Sequence, residues 1–262
     1  MKLLRLLAAR AIKVWAAFAA AAIYRRNGRG LAPPVLVDIG ARGGLQKKWL
    51  TYRRLAPLRA IMVEADAEEA ERLRRMDPRA IVVTAGLGDE SGSATLHLTS
   101  DRGCSSVLRP TVEAQALPSV GYRLGIVGTV EIALERADAV FRRDGMPAPD
   151  FLKVDTQGSE VSILKGFGSL LDTAVGIEIE CEFVPLYENQ PLVTDVVVFL
   201  RARGFVLVAL RPNGIGEDGL LDTNAYFVRR EKLLDARQKV LAALWRRLNR
   251  IPTHFSYAIA SG

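Results

Sequence analysis

The sequence predicts an α/β fold built on one mostly parallel sheet with helices on both faces. After Pro33 and Pro34, short apolar runs alternate with amphipathic helical stretches, and repeated strand–helix units of this kind require parallel pairing. The chain has 262 residues, which suits one large domain rather than two. The apolar runs 204–210 and 224–229 have no helix between them, so we expect them to pair antiparallel.

The individual elements follow from the spacing of apolar residues. Strands are predicted at 35–38, 60–64, 80–84, 92–99, 127–132, 150–155, 174–181, 204–210 and 224–229. Helices are predicted at 45–56, 67–76, 134–143, 160–171, 191–203 and 232–248. The 92–99 run alternates and looks like an added edge strand. Residues 100–126 contain scattered Gly, Ser and Pro, and so long a loop is typical of a lid or substrate loop.

Both ends of the chain are basic. Residues 1–30 contain seven Lys or Arg and no acid, and residues 229–262 contain eight against two acids. The first segment predicts an amphipathic helix, whose apolar face would hold Leu4, Leu7, Ala11, Val14, Trp15, Phe18 and Ala22. We therefore divide the chain into a basic helix at 1–30, a main domain at 31–230, and a basic helix with its tail at 231–262.

The basic ends favour an anionic membrane surface as a partner, reached through 1–30 and 231–250. Two solvated helix faces explain the same charges about as well, and we do not expect a nucleic-acid partner. The apolar run 14–24 is too short to span a bilayer. Three interpretations of the first helix stay open: it lies on a membrane, packs on the domain, or is a cleaved signal.

The number and spacing of the cysteines indicate the redox compartment of the protein. Cys104 and Cys181 are the only two, and they lie far apart in the sequence. They form neither a disulfide framework nor a metal-ligand spacing, so we expect a reducing compartment, the cytoplasm.

The first motif that indicates ligand binding follows the first predicted strand and comprises residues 38–44, D-I-G-A-R-G-G. Gly40 permits a tight turn and a close approach of a ligand to the backbone, and the helix beyond presents free N–H groups to a carboxylate or phosphate. The spacing is not the G-x-G-x-x-G of dinucleotide-binding proteins. It fits D-x-G-x-x-x-G, the methyltransferase form, although a glycine-rich turn alone is a weak signal.

A second signal indicates that this turn belongs to a nucleoside-binding site. Glu64 ends the second predicted strand, 24 residues after Gly40. A carboxylate near this offset can accept hydrogen bonds from both hydroxyls of a ribose, although a helix-capping or surface role is the alternative. Ala85 and Gly86 follow the third strand and are suited to lie against an adenine ring. The pattern does not separate S-adenosylmethionine from NAD.

The third signal is a pair of charges in a strand that should be buried. Lys153 and Asp155 interrupt the 150–155 strand, where an unpaired charge is costly. Asp155 falls at the carboxyl end, where ligands bind in open α/β sheets. We therefore expect a reacting group there.

The next strand carries Glu178, Glu180 and Glu182 on one face, where a parallel strand is normally apolar. Glu180 and Glu182 approach the ligand end, where they would act with Asp155 as a general base, a substrate anchor or a metal ligand. An internal salt-bridge cluster with Lys153 and Arg residues explains these carboxylates almost equally well.

Several of these segments share the pattern of one protein family. Residues 153–160, K-V-D-T-Q-G-S-E, with I-L-K-G at 163–166, resemble the motif K-x-D-x-[EQ]-G-x-E-x-x-x-L-x-G of the FkbM methyltransferases. That family's cofactor segment is similar to two parts of this chain, the 38–44 turn followed by Trp49 and the sequence V-E-A-D at 63–66. The likeness covers roughly 34–230 and includes later segments at 180–187 and 222–229. Ala65 departs from the usual Pro, and 133–138 departs from a more regular T-L-D-x-L segment.

The resemblance implies a Rossmann-like class I methyltransferase fold, with a seven-stranded sheet and a final antiparallel strand. It also implies S-adenosylmethionine as the methyl donor and O-methylation of a hydroxyl on a small-molecule or glycan acceptor, such as a sugar, a lipid-linked or a polyketide-type compound. Asp38 would meet the cationic end of the methionine moiety. The predicted cofactor-binding residues are Asp38, Gly40, Arg42, Gly44, Glu64, Ala85 and Gly86. Asp155 or Glu180 would take the hydroxyl proton or hold the substrate.

Two other classes of protein fit parts of the sequence. An NAD-type oxidoreductase would need a G-x-G-x-x-G turn and a proton relay, and the sequence offers neither. A non-catalytic module that binds a nucleoside, a partner or a membrane would not need Gly40, Glu64 and Asp155 together.

Overall fold

The computed structural model describes residues 2–28 and 30–252, and within the first helix it describes the side chains of residues 12 and 14–28. The last part of the predicted tail, 253–262, lies outside the described residues. The strands are β1 (Val35–Ile39), β2 (Arg59–Glu64), β3 (Ile81–Thr84), β4 (Gly86–Gly88), β5 (Gly92–Thr99), β6 (Ile126–Arg136), β7 (Phe151–Val154), β8 (Gly176–Glu182), β9 (Phe205–Pro212) and β10 (Asp222–Arg229). The helices are α1 (Lys2–Asn27), α2 (Lys47–Leu55), α3 (Ala67–Met76), α4 (Val112–Gln115), α5 (Gly121–Leu124), α6 (Ala137–Arg143), α7 (Glu160–Gly166), α8 (Val193–Ala202) and α9 (Ala236–Leu248).

Seven strands form the main sheet, in the order β3-β2-β1-β7-β8-β10-β9. β1 pairs parallel with β2 and β7, and β7 pairs parallel with β8. β10 lies between β8 and β9 and runs antiparallel to both. The predicted seven-stranded, mostly parallel sheet is therefore confirmed, as is the antiparallel pairing of the last two strands. The strand order reverses at β1, so the carboxyl ends of β1 and β7 mark the place where such sheets bind ligands.

Each face of the main sheet is covered by helices and has its own apolar core. α6, α7 and α8 pack on one face, around Val37, Leu152 and Ile177 of the central strands. α1, α2 and α9 pack on the other, around Leu36 and Phe151. Successive strand residues point to opposite faces, so each central strand is apolar on both sides apart from the charged positions of the site.

A second sheet contains the predicted edge strand β5, and one helix prediction in this region is wrong. β5 pairs antiparallel with β6 in a separate three-stranded sheet, β4-β6-β5, rather than at the edge of the main sheet. The predicted helix start at 134 is wrong, because β6 continues to Arg136. Leu134 faces Gly86 on one side and Gly92 on the other, so pairing with strands on both sides holds this stretch extended against its helical pattern.

The predicted helix 160–171 is also too long. α7 ends at Gly166, and a 3₁₀ turn follows over Gly168–Thr173. A Cβ at residue 166 would lie 2.0 Å from the Gly88 carbonyl oxygen, so the end of α7 sits directly against β4. Gly168 then takes a φ of 53°, which favours glycine and ends the helix.

The second half of α1 packs on the domain through its alanines. Ala17, Ala20 and Ala21 are buried in the same core as Leu241 and Trp245 of α9. Small side chains let the two helices approach closely, and this stripe makes the contact. No helix of the described residues is long and apolar enough to cross a bilayer.

The apolar face predicted for α1 does not pack on the domain. Its described members, Val14, Trp15, Phe18 and Ala22, are all exposed, and Trp15 is 72% exposed. The side chains of Leu4, Leu7 and Ala11 lie outside the described residues.

α9 is joined to the sheet at two points. Arg237 donates to both carboxylate oxygens of Asp150, whose Oδ2 also accepts from Val35 N of β1 at 2.9 Å. Trp245 stacks on Phe151 with ring centroids 5.2 Å apart, and it lies over Gly176, where a Cβ would be 2.4 Å from its ring. Leu241, Leu244, Trp245 and Leu248 of this helix are buried.

Candidate active site

Two cavities lie at the carboxyl ends of the central strands. The first cavity is bounded by the ends of β1 and β2 and by the second sheet, and we call it the donor cavity because it holds most of the residues predicted to bind the methyl donor. The second cavity lies beyond β7 and β8. Six residues predicted for the site line the donor cavity: Gly40, Arg42, Glu64, Ala85, Gly86 and Asp155. Glu180 lines the second cavity, and Asp155 and Gln157 line both.

The turn after β1 depends on Gly40 for backbone packing. Gly40 has a φ of 70°, and a Cβ there would lie 1.9 Å from the carbonyl oxygen of Asp155. Gly40 N and Ala41 N both donate to Val63 O of β2, at 3.0 and 3.2 Å. The turn is thus held between β2 and the end of β7, which sets the wall of the donor cavity.

Arg42 ties this turn to the start of α3. Its guanidinium donates to Asp66 at 2.7 Å, and Asp66 caps α3 by accepting from Glu68 N and Glu69 N. Gly43 N donates to Glu69 at 2.9 Å. Arg42 also lines the donor cavity, so its predicted cofactor contact stays a prediction beside this bracing role.

Gly44 and Asp38 are not lining residues of the donor cavity. Gly44 has a φ of 83° and packs against α3, where a Cβ would lie 2.3 Å from Met76 Cε. Asp38 is only 1% exposed, and its carboxylate lies 3.3 Å from Lys153 Nζ. The predicted contacts of both residues with a cofactor therefore stay predictions.

Glu64 sits at the end of β2 with its carboxyl group in the donor cavity. Its Oε1 accepts from Asp66 N at 3.0 Å, while its Oε2 has no hydrogen bond from the described residues. Burial raises the pKa of Glu64 above its ordinary value. One carboxylate oxygen is therefore fixed and the other is available to a ligand.

Lys153 connects the two aspartates of the site. Its ammonium lies 3.3 Å from Asp38 and 3.2 Å from Asp155, and it donates to Gly40 O at 3.3 Å. Burial raises the pKa of Asp38 to about 6, although Lys153 opposes the rise. Burial acts on Asp155 in the same direction, but there Lys153 and neighbouring hydrogen bonds prevail and hold the pKa below its ordinary value. Asp155 is therefore the ionised carboxylate between the cavities.

Gln157 is a site residue that the sequence analysis did not single out. Its Nε2 donates to Asp155 at 3.1 Å and to Glu180 at 2.6 Å, and the Tyr187 hydroxyl lies 3.0 Å from its Oε1. Gln157 has a φ of 59°, an uncommon conformation held by Ser106 Oγ, which donates to Gln157 O at 2.7 Å. The sequence signal that points to Gln157 as a site residue is its place in the 153–160 motif, directly before Gly158.

Glu180 stands beside Asp155 in the opposite protonation state. Burial raises its pKa to about 10, and the Asp155 carboxylate adds to the rise. Asn213 Nδ2 donates to its Oε1 at 2.7 Å. Two neighbouring carboxyl groups with pKa values moved apart are a pattern typical of acid–base sites.

Glu178 belongs to a structural network instead. It pairs with Lys48 of α2, and it accepts from the Tyr226 hydroxyl at 3.0 Å and from Gln46 at 3.3 Å. The salt-bridge interpretation is therefore correct for Glu178, although its partner is Lys48 rather than Lys153. Among the described residues, no group of three or more His, Cys, Asp or Glu side chains is arranged to hold a metal ion.

The 100–126 segment is an ordered wall rather than an open loop. Cys104, Val120 and Leu124 form a small core with Leu186 and Tyr187, and Pro110 bridges to Tyr187. The segment also contains two short helices, α4 and α5. The segment lines both cavities, and its role as a substrate loop stays a prediction.

Three of the solved structures similar to the chain are methyltransferases, each of low sequence identity. The magnesium protoporphyrin IX methyltransferase of Synechocystis PCC 6803 with bound SAH is 10% identical, with 84% of each chain covered and a TM-score of 0.41. The O-methyltransferase from Bacillus cereus in complex with SAH is 13% identical, with 81% of this chain and 80% of that chain covered and a TM-score of 0.40. The precorrin-6y C5,15-methyltransferase of Geobacter metallireducens GS-15 is 13% identical, covering 80% and 87%, with a TM-score of 0.38.

A family profile identifies the protein family to which the chain belongs. No curated protein sequence matches the chain. The profile of the family described as "Methyltransferase FkbM domain" matches residues 38–207, which is well over half of the chain. This match includes the turn after β1, Glu64 and the 153–160 motif, and it excludes the oxidoreductase interpretation. The chain belongs to the FkbM family of S-adenosylmethionine-dependent methyltransferases.

Proposed function

We propose that the protein transfers a methyl group from S-adenosylmethionine to a hydroxyl oxygen of a small-molecule or glycan acceptor, such as a sugar, a lipid-linked or a polyketide-type compound. The observation that carries the proposal is the position of Asp155. Its carboxylate lines both cavities and is kept ionised by Lys153. A proton acceptor at the boundary between donor and acceptor is what O-methylation requires.

The donor cavity fits the parts of S-adenosylmethionine. Glu64 Oε2 is available for the ribose hydroxyls, and Ala85 and Gly86 offer a flat wall beside Leu96 and Ile132 for the adenine ring. Gly40 and Arg42 would lie along the methionine moiety. When bound, S-adenosylmethionine supplies a methyl group on a positively charged sulfonium.

The chain's own residues supply alignment and proton transfer. Asp155 would accept a hydrogen bond from the acceptor hydroxyl and take its proton as the new oxygen–carbon bond forms. Gln157 fixes the Asp155 carboxylate through the bond to Oδ1, and Lys153 holds the other oxygen. Such alignment of reacting groups accounts for a large share of the rate in many enzymes.

Replacing Glu64 by Gln tests the donor site. We expect the affinity for S-adenosylmethionine to fall about tenfold to a hundredfold, because hydrogen bonds to a charged acceptor contribute about 1.5–3 kcal/mol. Isothermal titration calorimetry measures the change. Glu188→Gln, the same substitution at an exposed position, should leave the affinity unchanged. Equal affinities for the two variants would contradict the assignment of Glu64.

We also propose that the protein associates with anionic membrane surfaces through α1. Trp15 and Phe18 are 72% and 52% exposed on its outward face, and Ile12 is 52% exposed. Arg247 and Arg250 border the same groove as Ile12 and Trp15. Exposed aromatic residues beside arginines are typical of helices that lie in the headgroup region of anionic bilayers.

Vesicle sedimentation tests this association. The double variant Trp15→Ser, Phe18→Ser should bind vesicles of phosphatidylserine and phosphatidylcholine at least about tenfold more weakly, since burying each side chain is worth about 1.5–3 kcal/mol. Val198→Ser, at a 70% exposed position in α8, is the matched control. If the parent protein binds pure phosphatidylcholine equally well, or if the double variant sediments like the control, the proposal fails.

A further inference from the structure

We propose that Arg102 is a binding residue for the methyl donor, and that its guanidinium stacks on the adenine ring at the mouth of the donor cavity. The inference rests on the wall for the adenine ring that the proposed function assigns to Ala85 and Gly86, and it names the side chain that covers the ring from outside. Arg102 begins a 3₁₀ turn, Arg102–Cys104, after β5, and it lines the donor cavity.

The donor cavity continues on its adenine side into a third cavity, which has a volume of about 400 Å³. The two cavities share a set of lining residues: Ala65, Ala85, Gly86, Leu96, Ile132 and Arg102. Gly40 and Asp155, at the end assigned to the methionine moiety, line the donor cavity but not the third cavity. Arg102 therefore faces the adenine end of the site rather than the sulfonium, whose positive charge would repel a guanidinium.

The other cations that line the donor cavity already have partners. Arg42 pairs with Asp66 at 2.7 Å, and Lys153 lies 3.2 Å from Asp155. The Arg102 guanidinium makes no hydrogen bond or ion pair with any residue of 2–28 and 30–252, and its side chain is exposed. A planar guanidinium without a fixed partner is available to stack on a flat aromatic ligand.

The backbone that carries Arg102 is fixed on both sides of the residue. The Asp101 carboxylate accepts from Gly103 N and from Arg123 Nε, both at 2.9 Å. Cys104 N donates to Asp101 O at 2.8 Å. Only the rotamer of Arg102 needs to change when a ligand binds, so the entropy cost of covering the ring is that of one side chain.

Calorimetry with two ligands tests the contact. S-adenosylhomocysteine is the donor without its methyl group, and methylthioadenosine keeps the adenosine but lacks the amino acid. Arg102→Ala should weaken the binding of both by about 5- to 30-fold, the range expected for a guanidinium that stacks on a ring in a partly desolvated site. A loss for S-adenosylhomocysteine alone would place Arg102 on the methionine carboxylate, and this result, like unchanged affinities for both ligands, overturns the inference.

Arg109→Ala is the matched control for Arg102→Ala. Arg109 is an exposed arginine of the same segment, and it lines neither the donor cavity nor the third cavity. Its replacement should leave both affinities unchanged. A loss in Arg109→Ala equal to that in Arg102→Ala would reflect the net charge of the segment and would contradict a specific contact.

Two further variants separate stacking from charge. Arg102→Lys keeps the charge but loses the planar group, so it should lose most of the affinity that Arg102→Ala loses. Glu68→Gln removes a carboxyl group that lines the third cavity with Arg102, and it should bind both ligands like the parent. Parent-like binding by Arg102→Lys, or an equal loss in Glu68→Gln and Arg102→Ala, would mean that Arg102 acts through an ion pair, and the inference would be wrong.

Chemical modification reports the contact in the unaltered protein. Phenylglyoxal reacts with exposed arginine side chains, and peptide mass spectrometry follows each site separately. Saturation with S-adenosylhomocysteine should slow the modification of Arg102 severalfold and leave that of Arg109 unchanged. Equal rates at Arg102 with and without the ligand overturn the inference.

Binding to the parent protein separates this inference from the proposed function. If S-adenosylhomocysteine binds the parent and Arg102→Ala equally, the proposed methyl transfer stands and the assignment of Arg102 is wrong. If Arg102 behaves as expected and no hydroxyl acceptor is methylated, the assignment stands and the proposed function is wrong. If S-adenosylhomocysteine does not bind the parent protein, both are wrong.

Discussion

Replacing Asp155 by Asn should lower the rate of methyl transfer by about 10²–10⁴-fold, the usual contribution of a positioned proton acceptor. An amide keeps the shape and the hydrogen bond from Gln157 but cannot take the hydroxyl proton. The rate is measured as radioactive methyl incorporated from S-adenosylmethionine into glycan and lipid fractions. Binding of S-adenosylhomocysteine should persist in the variant, since Glu64 and the turn after β1 are untouched.

The companion variant Glu180→Gln separates the roles of the two carboxyl groups. Glu180 is neutral below its pKa of about 10, so an amide should replace it with little loss of rate at neutral pH. In the parent, ionisation of Glu180 near that pH would set a second negative charge beside Asp155 and lower the rate. This alkaline decline should disappear in Glu180→Gln. A large loss at neutral pH for Glu180→Gln, with a small one for Asp155→Asn, would make Glu180 the proton acceptor.

Trp245→Ala should destabilise the protein by about 3–5 kcal/mol, the usual cost of removing a large buried aromatic side chain. Trp245 is fully buried, stacks on Phe151 and lies 5.9 Å from the Trp49 ring, so the substitution would open a cavity between α9 and the sheet. For a chain of this size each kcal/mol lowers the Tm by about 2–4 °C, which predicts a fall of roughly 10 °C. Thermal unfolding followed by circular dichroism measures it.

Trp15→Ala is the matched control, because the same substitution at a 72% exposed position removes little buried contact. Its Tm should stay within about 2 °C of the parent, since surface substitutions change stability by about 0.5 kcal/mol or less. α9 lies outside the 38–207 family match. A Tm for Trp245→Ala equal to that of Trp15→Ala would mean that α9 adds nothing to the stability of the family domain.

The sheet could be predicted because its signals are local. Apolar runs ending at glycines mark β1, and Asp66 marks the start of α3, which begins at the predicted residue. Asp155 could be singled out because a charge in a buried strand contradicts the apolar pattern around it. In each case neighbouring residues carry enough information, so no distant contact was needed.

The errors concern residues whose conformation is set by distant partners. Leu134 is extended because Gly86 and Gly92 pair with it, and its own sequence context is helical. α1 packs on α9 through Ala17, Ala20 and Ala21, and its own sequence does not show this, because a contact between small side chains depends on the partner helix. Gln157 reaches its position through an uncommon φ, which a sequence pattern does not show.

The contact of Gly40 with Asp155 also limits how the two cavities change together. The Gly40 backbone in the turn after β1 packs against the carbonyl oxygen of Asp155 at the end of β7, and there is no room for even a methyl group between them. Any shift of one therefore displaces the other. The turn after β1 and the backbone at Asp155 therefore move as one rigid piece, so a substitution that reshapes the turn would also displace the Asp155 carboxylate, whereas Asn213 and Asn224 can be replaced without moving either.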